Sequence, residues 1–133
     1  MKKERLSFKQ MSLEEILNVI LQNNTKSDAA MVYMLNVAVK RHLKTIYEQK
    51  KQWLDYEFEE TISDFFIYLR EGKRKKNIVR YEALHTIRDH SRFATWIGRS
   101  YTFFLINLSF RIRKYVSLET LLPIIKRVTN HHG

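Results

Sequence analysis

The sequence predicts an all-α protein, a compact bundle of about four to five helices. Three observations carry this. Apolar residues recur at spacings of three and four along most of the 133-residue chain. Three Gly and one Pro are too few for the many tight turns of a β-sandwich or barrel. An apolar share of 44% suffices for a real core, and the length suits one domain.

Ser12-Leu13-Glu14-Glu15 has the form of a capping box, after which Leu13, Ile16, Leu17, Ile20 and Leu21 share one helical face. Asn23-Asn24-Thr25 ends this helix, and Ser27 or Asp28 is expected to cap the next. The second helix is predicted to run unbroken to about residue 52, with Met31, Met34, Leu35, Ala38, Val39, Leu43 and Ile46 inward. Its methionines read as core filling rather than as a cofactor box.

A third helix is expected over residues 56–71, with Phe58, Ile62, Phe65, Phe66 and Leu69 as its inward stripe. Glu57, Glu60, Asp64 and Glu71 line another face. Carboxylates so spaced could hold a metal, but no His accompanies them. A solvated or partner-facing stripe is the better reading, and no cofactor is expected. Gly72-Lys73-Arg74-Lys75-Lys76-Asn77 is a basic loop, followed by a short helix and a further loop up to Arg92.

The last long helix is predicted to start near Ser91. It turns Phe93, Trp96, Ile97, Ser100 or Tyr101, Phe104, Leu105, Leu108 and Ile112 inward. Its other side mixes Arg92, Arg99, Arg111, Arg113 and Lys114 with Phe103, Asn107 and Phe110. Aromatics among cations suit a stacked, unpaired base. Packing of Phe103 and Phe110 against a neighbouring helix is the alternative. After Lys114 the pattern weakens into a linker or short helix.

The 24 Lys and Arg against 14 Asp and Glu give a net charge of +10. Residues 1–51 carry +5, residues 52–69 carry −5, and residues 70–133 carry +10. A basic surface attracts polyanions by counterion release. The acidic island is unsuited to a phosphate backbone and suits a basic protein partner. With no Cys, disulfides, thiolate zinc sites and cysteine nucleophiles are excluded, which fits a cytoplasmic protein. The longest apolar-rich run, residues 103–108, is far short of the ~18 residues of a membrane span. No P-loop, GxGxxG, GxSxG or HExxH occurs, and the five His lack ligand or triad spacing, so no enzyme activity is expected.

Two stretches form a recognisable pair. Glu60-Thr61-Ile62-Ser63-Asp64-Phe65-Phe66-Ile67-Tyr68-Leu69 resembles the acidic helix of region 2 of bacterial sigma factors, usually written D-L-V-Q-E-x-F-x-x-L. Ile87-Arg88-Asp89-His90-Ser91-Arg92-Phe93-Ala94-Thr95-Trp96-Ile97-Gly98-Arg99 resembles the loop and helix start of extracytoplasmic-function (ECF) sigma factors. The family pattern there is aromatic-R-G-D/E-S-x-F-x-T-W-L-x-R, and its Phe-x-Thr-Trp-Ile-x-Arg part is the more specific. The resemblance covers about residues 13–114. It implies a region 2-like domain over residues 1–114 and a linker or tail over 115–133.

The resemblance also implies partners. The acidic helix would dock on a coiled coil of the largest subunit of core RNA polymerase through Glu60, Ser63, Asp64 and Ile67. The non-template strand of the −10 promoter element would be captured by Ile87, Arg88, Ser91 and Arg92 in the loop and by Arg99, Phe103 and Asn107 on the helix. Arg111, Arg113 and Lys114 would hold phosphates. An anti-sigma factor is a further partner that the family allows.

This sequence departs from the family at several positions. Ile87 stands where Phe is frequent, which weakens stacking there. Asp89 replaces Gly in the loop. Phe103 replaces a base-reading Asn, so it can stack but cannot hydrogen-bond a base edge. Ser63 replaces Gln and shortens one contact to the polymerase. Only 19 residues follow Lys114, too few for the family's second, −35-binding domain, so a fragment holding the first domain is expected, a natural one-domain relative being the alternative. The competing reading is a helical module that binds RNA or an acidic protein without promoter recognition.

Overall fold

The computed structural model describes residues 7–72 and 79–110. Among them every regular element is helical and no strand occurs. The helices are α1 (Leu13–Leu21), α2 (Thr25–Tyr33), α3 (Lys40–Lys50), α4 (Phe58–Glu71), α5 (Glu82–His85) and α6 (residues 93–110). The all-α bundle predicted from periodicity is the fold observed.

Helix α1 begins as its sequence dictates. The Ser12 side chain accepts from the Glu15 N–H at 3.2 Å, and the Glu15 carboxylate accepts from the Ser12 N–H at 2.7 Å. The cap of α2 differs from expectation. Asn24 holds that position, its side chain accepting from the Lys26 N–H at 2.8 Å. Ser27 is instead buried, accepting from the Asn24 N–H and donating to the Val19 carbonyl at 3.2 Å. The Asn24 side chain reaches the first free amides, and Ser27 ties α2 back onto α1.

The second predicted helix is not one continuous rod. Between α2 and α3 the chain makes a π-helical turn over Met34–Ala38, closed by the Val39 N–H on the Met34 carbonyl at 2.9 Å. The reason lies in the burial pattern. Met31, Leu35, Val39, Leu43 and Tyr47 are all buried, each four residues after the last. At 3.6 residues per turn, each such step drifts about 40°, or about 160° over four steps. An unbroken α-helix would put Met31 and Tyr47 on nearly opposite faces. The wider π-turn returns the later residues to the core. Ala38, expected inward, is exposed. After α3 a short 3₁₀ turn (Lys51–Trp53) leads toward α4.

Helix α4 starts two residues later than predicted. The Glu60 carboxylate accepts from the Glu57 N–H at 2.7 Å, making Glu57 the cap. It stops at Gly72, whose positive φ of 73° an L side chain adopts only with strain. Phe58, Thr61, Ile62, Phe65 and Leu69 are buried, and Phe66 is half-buried. The basic loop predicted after Gly72 falls at residues 73–78, outside the described residues.

The chain returns at Arg80 and Tyr81. Tyr81 is fully buried with a left-handed backbone (φ 57°). Its hydroxyl donates to Asp28 at 2.6 Å, and its amide donates to the Arg70 carbonyl at 3.1 Å. Arg70 and Arg80 also reach Asp28, at 3.4 and 3.3 Å. Asp28 of α2 thus gathers α4 and the segment before α5. Phe93, Ile97, Tyr101 and Leu105 of α6 complete the core, each fully buried.

Candidate nucleic-acid and protein interfaces

Helix α4 has two chemically distinct sides. Phe58, Thr61, Ile62, Phe65 and Leu69 face the core, while Glu60, Ser63, Asp64 and Ile67 are exposed on the opposite side. Ile67 is 49% exposed, an apolar group at the end of a carboxylate ridge. All four predicted polymerase-contacting residues therefore share one open face. The Glu60 carboxylate has a structural duty there as well, because it closes the capping box of α4.

Helix α6 is divided in the same way. Phe93, Ile97, Tyr101, Leu105 and Leu108 are buried, and Arg99, Phe103 and Asn107 are exposed. The Phe103 ring is 65% exposed, so it is not packed into a neighbouring helix. Phe110 is 58% exposed. No carboxylate occurs from His90 to Phe110, and Arg99 is the exposed cation on the described part of α6.

Arg99 and Phe103 line an open groove of about 710 Å³ between α3 and α6. Its other walls are His42 and Ile46 from α3, and Ala94, Thr95, Gly98 and Thr102 from α6. Ala94, Gly98 and Thr102 stand at successive spacings of four, so small side chains form the floor. At Gly98 the fit is tight. A Cβ there would strike the His42 imidazole. Thr102 turns its hydroxyl back to the Gly98 carbonyl at 2.8 Å.

The groove gathers only part of the predicted strand-binding set. Asn107 is exposed on α6 but does not line it. Arg88, Ser91 and Arg92 are exposed in the segment that leads into α6, and Ile87 is half-buried against the core. Arg111, Arg113 and Lys114 lie outside the described residues. His42, Ile46, Ala94, Thr95, Gly98 and Thr102 line the groove without a binding role expected from the sequence. Only the spacing of Ala94, Gly98 and Thr102 hinted that another helix approaches there.

Asp89 organises the loop. Its carboxylate accepts from the Ser91 hydroxyl at 2.6 Å and the Ser91 N–H at 3.1 Å, capping a 3₁₀ turn over His90–Arg92. The Ser91 hydroxyl first and its backbone N–H second pull the Asp89 carboxyl below the ordinary range. Asp89 has extended backbone (φ −110°), so the position does not require the glycine of the family pattern. The Arg92 guanidinium lies 3.9 Å from the same carboxylate, both ends exposed.

No family model, curated protein or solved structure matches this chain. Among the described residues no helix is long and apolar enough to cross a membrane.

Proposed function

We propose that this chain acts in transcription initiation as a region 2-type domain of an ECF sigma factor, working in the cytoplasm. The acidic face of α4 docks on core RNA polymerase, and the α3/α6 groove receives the displaced non-template strand of the −10 element. One observation carries this reading. A carboxylate ridge, and a groove that sets Arg99 beside an exposed ring, lie on two helices joined through one buried layer. Each surface faces away from that layer. An enzyme-docking surface and a strand-docking surface can therefore be occupied together.

Magnitudes define the division of labour. Opening about six base-pair steps at about 1.4 kcal/mol each costs on the order of 8 kcal/mol. One base stacked on an aromatic ring returns roughly 1–3 kcal/mol. Phe103 is the exposed ring of the groove, so the domain alone does not offset melting. Polymerase must position it and supply further contacts. Capture then selects DNA that is already unpaired.

Fluorescence anisotropy of the isolated chain across a salt series tests this. Weak, salt-dependent binding of a −10-like single strand, with duplex bound no better, is expected. Tight sequence-specific binding to duplex DNA contradicts it.

A further inference from the structure

Helix α3 borders two surfaces. Its His42 and Ile46 line the groove against α6. Around the helix, Val37, Lys40, Arg41, Lys44, Thr45 and Glu48 line a second depression of about 430 Å³. Three of these six are cations. The single acidic group, Glu48, is held by Lys51 at 2.7 Å. Among the described residues no carboxylate forms an ion pair with Lys40, Arg41 or Lys44, although Lys44 lies 5.6 Å from the Phe58 ring centre.

The placement of these charges runs against local helix physics. Lys40 and Arg41 occupy the first turn of α3, where the helix dipole favours anions and disfavours cations. The preceding Val39 offers no side-chain cap. The π-turn over Met34–Ala38, just before them, sets the rotation of this surface about the helix axis. Lys40 and Arg41 therefore do not serve the helix itself, whereas the Lys44 charge also acts on Glu48 one turn on. A phosphate chain in the depression would reverse the local disadvantage, since it brings the negative charge that this turn lacks.

We infer that α3 carries a second nucleic-acid surface, on which Lys40, Arg41 and Lys44 hold the phosphates of a single strand that continues out of the α3/α6 groove. The inference rests on the strand-capture reading of that groove. It adds a backbone track that reads no base. Contiguity favours this occupant, because the same helix forms one wall of the groove and the whole cationic face beside it.

The experiment pairs two oligonucleotides with three variants. The short strand, about 5 nucleotides, fills the groove alone, and the long one, about 12, reaches beyond it. In K40Q/R41Q/K44Q, three phosphate contacts vanish. The slope of log affinity against log salt should fall by about 2 for the long strand. That is roughly a 100-fold loss at about 0.1 M salt relative to 1 M. The short strand should be bound almost as before. The charge-preserving K40R/R41K/K44R should bind both as the parent does, and far-UV circular dichroism checks that each variant is folded.

Phe103→Ala, the third variant, should weaken both strands. If it does and the triple Gln variant binds the long strand like the parent, the α3 track is wrong and the groove reading stands. If Phe103→Ala changes neither strand, the groove reading fails and the track fails with it. Equal losses on short and long strands in the triple Gln variant overturn the track, since the cations then act only as a general field. Polyglutamate that competes as well as the long strand assigns the face to an acidic protein instead, and also overturns it.

Discussion

The hydroxyl of Thr61 lies 2.6 Å from the phenol oxygen of Tyr101, inside the apolar layer that joins α4 to α6. The same Thr61 oxygen is 2.6 Å from the Phe58 carbonyl, which can only accept. Thr61 therefore gives its proton to Phe58, and Tyr101 donates to Thr61. Phe65 and Phe104 pack around the pair, with the Phe65 ring 5.2 Å from that of Tyr101. This bond joins α4, which carries the carboxylate ridge, to α6, together with the ring contacts of Phe65 and Tyr68 on Phe104.

Removing either side of this bond should have unequal effects. Tyr101→Phe leaves Thr61 bonded to Phe58 and should cost about 1 kcal/mol. Thr61→Val strands the buried Tyr101 hydroxyl and should cost more, roughly 1–3 kcal/mol. Urea unfolding measures both. A greater loss in Tyr101→Phe would show that the donor assignment is reversed.

Alkaline pH should destabilise the fold through two phenols. Burial raises the pKa of the Tyr101 phenol, and burial followed by the Asp28 carboxylate raises that of Tyr81. Both folded values lie above the unfolded value of about 10. Their contribution is complete below about pH 10 and is lost above it, by up to about 1.4 kcal/mol per pH unit for each phenol. Unfolding curves between about pH 9 and 11 should show this decline, and Tyr101→Phe should reduce its slope. An unchanged slope would mean that Tyr101 ionises freely in the folded protein.

Gly98→Ala should be nearly neutral for stability but harmful to the groove. Ala is favoured over Gly within a helix by about 1 kcal/mol. The new methyl meets the end of the His42 ring, which sits on an exposed side chain and can swing aside. With His42→Ala in the background, Gly98→Ala should stabilise by about 1 kcal/mol. A double-mutant cycle in urea reads the coupling. Single-strand affinity should fall in Gly98→Ala, because the displaced imidazole enters the groove.

The acidic ridge is best tested with the cap in mind. Asp64→Lys should weaken capture by core polymerase without changing stability, since Asp64 is exposed. Glu60→Lys removes a carboxylate that accepts the Glu57 N–H, so about 1 kcal/mol of stability should go as well. Glu60→Gln keeps an acceptor and separates the two effects. Pull-down unchanged in both Asp64→Lys and Glu60→Gln would remove α4 as the docking face.

Asp89→Asn should strengthen single-strand binding. It removes a negative charge 3.9 Å from Arg92 and leaves Asn as a competent cap for the turn. The gain should shrink as salt rises. Weaker binding at low salt would show that the Asp89 carboxylate holds the loop in its binding shape.

The sequence by itself determined the helical class, the Ser12 capping box and the inward faces of α1, α4 and α6. Each follows from spacing along one segment, where 3.6-residue periodicity and local hydrogen bonds suffice. It also determined that Glu60, Ser63, Asp64 and Ile67 share a face, because residues three and four apart on a helix must. The tertiary structure alone decided the rest. The π-turn at Met34–Ala38 arises because Met31 and Tyr47 meet the same core, a demand that no local window contains. His42 and Ile46 became groove residues only when α3 came against Gly98, a pairing set by how two distant segments pack. The Thr61–Tyr101 bond, across 40 residues, exists for the same reason: burial leaves each hydroxyl no water, so each takes the partner that packing supplies.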